Sequence, residues 1–191
     1  MRNETTTTKL LASVCVVALA TASMATMGVA QAATQGTLGA TSTGSLDISV
    51  KKDARVKISG LDNLIRTAWE DGNGDVVLED DLCVYSTRVG GAYKITANGS
   101  GAASAFEIAS GANILPYALK WNAGGLGALA TPTISLSPNT LSAAFANAST
   151  TSPNCASGET ARLQVSIGAA AMAAAVDGTY TGVLTLIVSP S

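Results

Sequence analysis

Apolar and polar residues alternate with a period of two in most hydrophobic segments of this chain. Leu46, Ile48 and Val50 are separated by Asp47 and Ser49, and Val56 and Ile58 are flanked by Arg55 and Lys57. Tyr93, Ile95 and Ala97 alternate with Lys94 and Thr96, and Leu115, Tyr117, Leu119 and Trp121 share one face opposite Pro116, Ala118 and Lys120. Leu163, Val165 and Ile167 alternate with Arg162, Gln164 and Ser166. Tyr180, Leu184, Leu186 and Val188 alternate with Thr181, Val183, Thr185 and Ile187. Side chains on a strand point to opposite faces in turn, so each run predicts a strand with one buried face. Turn clusters separate the runs: Asp71-Gly72-Asn73-Gly74-Asp75, Gly90-Gly91, Asn98 to Gly101, Ser110-Gly111 and Asp177-Gly178. Many short strands at this spacing predict an all-β, two-sheet sandwich. Helix is expected only as a turn or two at Ala169 to Ala175 and at Leu141 to Ala148.

The N-terminus has a different pattern. Arg2 and Lys9 precede an uncharged, mostly apolar run from Leu10 to Ala22, and Ala30-Gln31-Ala32 follows as a small-x-small motif. This is the layout of a cleaved export signal, with Ala30, Ala32 and Ala33 marking the cleavage point. A retained anchor would need about 20 apolar residues, usually backed by cations, and the next cation after the run is Lys51. Cys15 lies inside the apolar core, so no lipid-attachment cysteine stands at the cleavage point. The expected division is a signal peptide over 1–32, a Gly/Thr/Ser-rich leader with an apolar alternation at its end over 33–52, and a β-sandwich over 53–191. No apolar run after the signal is long enough to span a bilayer as a helix.

Composition narrows the chemistry. The chain carries 11 cations and 13 anions, and only 13% of its residues are charged. It offers no basic face for nucleic acid. It contains no histidine, which removes the commonest general base and metal ligand. No G-x-S-x-G occurs, and Asn122-Ala123-Gly124-Gly125-Leu126-Gly127 lacks the lysine and the following helix of a phosphate loop, so it reads as a plain loop. A hydrolase working through two carboxylates would need acids facing each other across a cleft, and most acids here crowd into one segment. No enzyme and no cofactor are expected.

Two features remain open to more than one reading. After signal removal the cysteines are Cys83 and Cys155, which read as one disulfide in an oxidising compartment, with a metal or redox pair as the alternative. Such a bridge closes a loop of about 70 residues and would contribute roughly 4 kcal/mol in the chain-entropy account. Asp71, Asn73 and Asp75 have the alternating oxygens of a calcium loop, with Glu79, Asp80 and Asp81 as further donors. Val76 and Leu82 occupy the positions where such a loop needs Gly and Glu. The competing reading makes the acidic stretch a solvated hairpin tip. Asn98-Gly99-Ser100 and Asn147-Ala148-Ser149 match the glycosylation acceptor pattern.

Three stretches carry a family resemblance. The run DGTYTGVLTLIVSP resembles the last strand of pilus subunits from the archaic and alternate chaperone–usher families, including Csu-type and spore-coat-protein-U-like domains. ILPYALKW resembles a mid-domain strand of the same group, and GSLDISVKKDARVKI its N-terminal extension running into the first strand. The resemblance implies an immunoglobulin-like sandwich that lacks one strand and is completed by a donor strand from a neighbour. A periplasmic chaperone fills the groove first, and the next subunit's N-terminal extension replaces it at an outer-membrane usher. On this reading the product is an exported, surface-located fimbrial protein of adhesion and biofilm formation. Leu46, Ile48 and Val50 match the donor side chains, and Tyr180, Leu184, Leu186 and Val188 line the acceptor groove. The alternative for Leu46 to Val50 is an ordinary first strand of its own domain. The alternative for the whole protein is a self-contained secreted binding module or adhesin that uses Trp69, Trp121 or loop residues.

Overall fold

The computed structural model describes residues 32–126 and 129–191, so Ala30 and the rest of residues 1–31, with Gly127 and Ala128, lie outside it. The chain divides into two units, Met1–Lys51 and Lys52–Ser191. In the first, Thr34 and Ser45 exchange backbone hydrogen bonds of 2.8 and 3.0 Å. Every described residue of this unit is exposed, and Leu46 to Val50 form no strand. The alternation there predicts a strand; the structure has an apolar face without a ladder partner.

Among the described residues, the second unit holds nine strands, all joined by antiparallel pairing. They are β1 (Val56–Ser59), β2 (Val76–Ser86), β3 (Tyr93–Asn98), β4 (Glu107–Ser110), β5 (Asn113–Pro116), β6 (Ala118–Asn122), β7 (Ile134–Leu136), β8 (Ala161–Ile167) and β9 (Thr185–Pro190). A short α-helix, α1 (Ala169–Ala174), follows β8. A five-stranded sheet runs β1-β2-β8-β6-β7, β3 pairs with β9, and β4 pairs with β5. The inner faces of the first two sheets meet in one core, where Leu82, Val84, Leu119, Trp121 and Leu163 pack with Tyr93, Ile95 and Ala97. The fold is an all-β, open two-sheet sandwich of immunoglobulin-like type. A second small cluster, Val76, Leu115 and Ile167, packs against α1.

Hydrogen bonds pin the centre of the core. Trp121 Nε1 donates to Tyr93 Oη at 3.0 Å, with both residues fully buried. Burial pushes the Tyr93 hydroxyl up to about 12, against the smaller lowering effect of the Trp121 bond. Thr160 Oγ1 accepts from Val84 N–H at 2.9 Å and donates to Val84 O at 3.1 Å, and Ser149 N–H also donates to Val84 O, at 2.8 Å. Cys83 in β2 is bonded to Cys155, with their Cα atoms 5.6 Å apart.

Four expectations are corrected. Glu79, Asp80 and Asp81 lie inside β2, the longest strand, and not at a hairpin tip. Glu79 and Asp81 face outward opposite Gln164 and Arg162. Arg162 grips Asp81 with bonds of 2.5 and 2.8 Å, and Gln164 donates to Glu79 at 2.7 Å. Leu115 to Trp121 is two strands, because Pro116 has no N–H to continue the ladder and the chain passes there from one sheet to another. Tyr117, at the crossing, donates its N–H to Phe106 O and stacks on the Phe106 ring at 5.5 Å. Leu141 to Ala148 is not helical; it lies along the edge of β3. Trp121 is fully buried and cannot meet a ligand, while Trp69 is half-buried on the second cluster and donates to Gly74 O at 3.1 Å.

Candidate functional site

The two edges of β3 are treated differently. On one, residues 138–145 supply the hydrogen bonds: Asn139 N–H to Ala97 O at 2.8 Å, Ser142 N–H to Ile95 O at 2.8 Å, and Phe145 with Tyr93 in both directions at 2.8 and 3.1 Å. Three residues of this segment answer every two of β3, so it follows the strand without being one. These bonds establish that Tyr93, Ile95 and Ala97 turn their peptide groups toward residues 138–145. Lys94, Thr96 and Asn98 therefore turn theirs toward β9, where they face Ser189, Ile187 and Thr185.

The consequence for β9 follows from the alternation of a strand's peptide groups. Thr185, Ile187 and Ser189 bond to β3, which leaves the peptide groups of Leu186 and Val188 pointing to the far side. Among the described residues no strand pairs with β9 on that side. β1 comes within 8 Å of β9 by Cα positions, yet it pairs only with β2. Side chains tell the same story. Leu184, Leu186 and Val188 pack on the main core with Val56 and Ile58 of β1, all only half-buried, whereas the central residues are sealed.

The acceptor residues read from the sequence thus separate. Leu184, Leu186 and Val188 stand together beside β1; Tyr180 packs on the second cluster with Val76, Leu115 and Ile167. The long alternation from Tyr180 to Val188 is interrupted because Thr181 exchanges hydrogen bonds of 2.9 and 3.0 Å with Ala109, and β9 begins only at Thr185. Gly182 makes that passage possible: a Cβ there would lie 2.6 Å from Ser100 Oγ and 3.0 Å from Glu107 O. In the leader, Leu46, Ile48 and Val50 are 69%, 85% and 88% exposed.

The remaining candidates have structural occupations. Asp75 accepts the Ala169 N–H at the start of α1 at 2.8 Å, and Asn73 N–H closes a turn onto Glu70 O at 3.0 Å. Among the described residues, no group of three His, Cys, Asp or Glu is arranged to hold a metal ion. Asp80 points inward between the two clusters and accepts the Asp62 N–H at 3.1 Å. Desolvation raises its pKa, while that hydrogen bond opposes the rise and the Asp62 and Asp81 charges add to it. No helix among the described residues is long and apolar enough to cross a membrane.

No protein-family profile matches the sequence, and no curated protein does. Among solved structures, three chains match. One belongs to a chaperone–tip adhesin complex of CFA/I fimbriae biogenesis, with 14% identity and a TM-score of 0.47. The match covers 73% of this chain and 42% of that one, so this chain spans less than half of its neighbour's length.

Proposed function

We propose that this protein is an exported structural subunit of a surface fibre, joined to its neighbours by strand addition. The observation that supports this best is the outer edge of β9. The peptide groups of Leu186 and Val188 face a side with no ladder partner, while the adjacent apolar side chains stay half-buried beside β1. An added strand would satisfy those peptide groups and cover that surface together: main-chain hydrogen bonds supply affinity, and alternate side chains supply fit. The leader carries a segment of matching alternation in Leu46, Ile48 and Val50. A periplasmic chaperone would fill the edge before assembly, and an outer-membrane usher would exchange it for the next leader. The signal-like N-terminus, with its cleavage motif at Ala30 to Ala32, and the disulfide both suit that route.

The test is Ile48→Asp, which puts a carboxylate into an apolar pocket at a cost of several kcal/mol, on the order of 2–7, unless it neutralises. Fibres should be lost from the surface while the subunit–chaperone complex remains protease-resistant. Normal fibres, or degradation of the subunit before it meets a partner, would overturn the assignment. The binding-module alternative loses Trp121, which is fully buried, and keeps the half-buried Trp69 and the loop residues.

A further inference from the structure

The chain has two Asn-Gly pairs, Asn73-Gly74 and Asn98-Gly99, and the fold treats them in opposite ways. Asn73-Gly74 lies in the connection before β2, with both residues exposed. The Asn73 N–H closes the turn onto Glu70 O, and the Gly74 carbonyl accepts the Trp69 indole N–H. Among the described residues, none accepts the Gly74 N–H or bonds the Asn73 carboxamide. A Cβ on Gly74 would meet no atom within 4 Å, and Gly74 is not at a positive φ. Asn98-Gly99 is held at three points. Asn98 pairs with Thr185 at the end of β3, its side-chain oxygen is buried, and the Gly99 N–H donates to Ser104 O at 2.9 Å. A Cβ on Gly99 would lie 2.0 Å from Ala105 O, so the backbone there has no room to turn.

We propose that Asn73 is a self-modification site, where the main chain converts its carboxamide to a carboxylate, and that the product loosens the second cluster alone. The Gly74 nitrogen bonds to Asn73 Cγ, the Cγ–Nδ2 bond breaks, and Nδ2 leaves as ammonia with the Gly74 proton. Water then opens the cyclic imide. Attack at the side-chain carbonyl gives aspartate, and attack at the main-chain carbonyl gives isoaspartate. Glycine nitrogen closes this ring most readily, because no Cβ shields it, and its N–H must be free of a hydrogen bond. Asn73-Gly74 meets both conditions, whereas at Asn98 the Gly99 bond and the end of the ladder must first open. Asp71-Gly72 and Asp177-Gly178 are slower sites, since a carboxylate is a poorer electrophile than an amide. Isoaspartate routes the main chain through Cβ, which moves the Gly74 carbonyl away from the Trp69 indole. The lengthened bond also adjoins Asp75, whose carboxylate accepts the Ala169 N–H at the start of α1. Trp69 and residues Ala171 and Met172 of α1 pack on the second cluster. The main core and the disulfide engage β2 farther on, at residues 82–84.

The experiment incubates the purified, disulfide-bonded chain in mildly alkaline buffer and maps its peptides by mass spectrometry. Digestion in heavy-oxygen water marks any conversion that happens during the digest. Asn73 should convert about tenfold faster than Asn98, the scale of breaking one protected hydrogen bond, and mainly to isoaspartate. In the reduced, denatured chain the two should convert at similar rates. Gly74→Ala places its Cβ in open space and should leave Asn73 almost wholly unconverted over the same period, with the protease resistance of the parent. The aged parent should show red-shifted tryptophan fluorescence, and the shift should vanish in Trp69→Phe. Asn73→Asp has the new charge without the longer main chain and should show no shift. Equal rates at Asn73 and Asn98 in the folded chain, or undiminished conversion in Gly74→Ala, would overturn the site. An aged parent with the same fluorescence as Asn73→Asp would overturn its effect on the second cluster.

Discussion

The sandwich has a sealed side and an open side, built from the same kinds of residue. In the sealed centre, Trp121, Tyr93, Leu82, Val84 and Ile95 are all at 0% exposure, and the Tyr93 hydroxyl oxygen satisfies the indole N–H. Along β1 and β9, Val56, Ile58, Leu184, Leu186 and Val188 are as apolar but only half-buried. The difference lies in main-chain pairing. β3 is bonded along both edges, one of them by an irregular segment recruited for the purpose, while β9 is bonded along one. Hydrophobic burial is complete where the ladder continues and partial where it stops. Edge strands normally carry charges or prolines that discourage pairing; β9 carries no charge and its one proline is at its last position.

Trp121→Ala should strike the sealed side hardest, by about 3–5 kcal/mol. Denaturant unfolding should register that loss equally with and without a peptide of residues 44–52. Loss of the disulfide through Cys155→Ser ranks next, at about 2–4 kcal/mol, and should likewise be independent of the peptide. Tyr93→Phe removes the acceptor of the buried Trp121 N–H and should cost about 1–3 kcal/mol. Leu186→Ala acts on the open side. It should lower the stability of the subunit alone by less than a fully buried leucine would, under about 2 kcal/mol, while weakening peptide binding at least tenfold. If Leu186→Ala and Trp121→Ala changed stability and peptide affinity in the same proportion, the contrast between the two sides would collapse.

The smallest effects concern two neighbouring carboxylates. The Asp80 pKa is raised chiefly by desolvation, so its ionised form opposes folding above the folded-state pKa, and the opposition fades as the pH falls through it. Asp80→Asn keeps an acceptor for the Asp62 N–H and should stabilise the domain at neutral pH, with the gain vanishing in acid. Asp81 is held below the usual carboxylate range by its hydrogen bonds to Arg162; it contributes stability above the unfolded-state value that is lost as the pH falls through the folded one. Asp81→Asn should destabilise slightly at neutral pH and not in acid. Melting curves of both variants between pH 3 and 7 would separate them, and parallel curves would refute the signs.

Period-two alternation located β1, β3 and β8 well, and the Ala-rich stretch located α1. It missed β2 because Asp80 occupies an inward position and Cys83 an outward one that is nonetheless buried by its bridge, so the acids read as a tip. It joined β5 to β6 because Tyr117 keeps the alternation intact across a change of sheet that only Pro116 hinted at. It began β9 too early because alternation does not report which neighbour a residue bonds. At Leu46 to Val50 it predicted a strand where the structure has none, since a pattern specifies a face and not the presence of a partner. That Leu184, Leu186 and Val188 share one apolar face was legible, but their place beside β1 was not; the assignment of Tyr180 to the second cluster depends on Thr181 bonding Ala109, a long-range contact with no local signature.

The central claim is that β9 offers an empty ladder position, and amide hydrogen exchange on the mature chain tests it directly. In the monomer, Leu186 and Val188 should exchange much faster than Ile187 and Ser189, whose N–H groups face β3, and adding the peptide of residues 44–52 should slow Leu186 and Val188 selectively. Equal protection of all four before the peptide is added, or no change in Leu186 and Val188 at saturating peptide, would contradict the account.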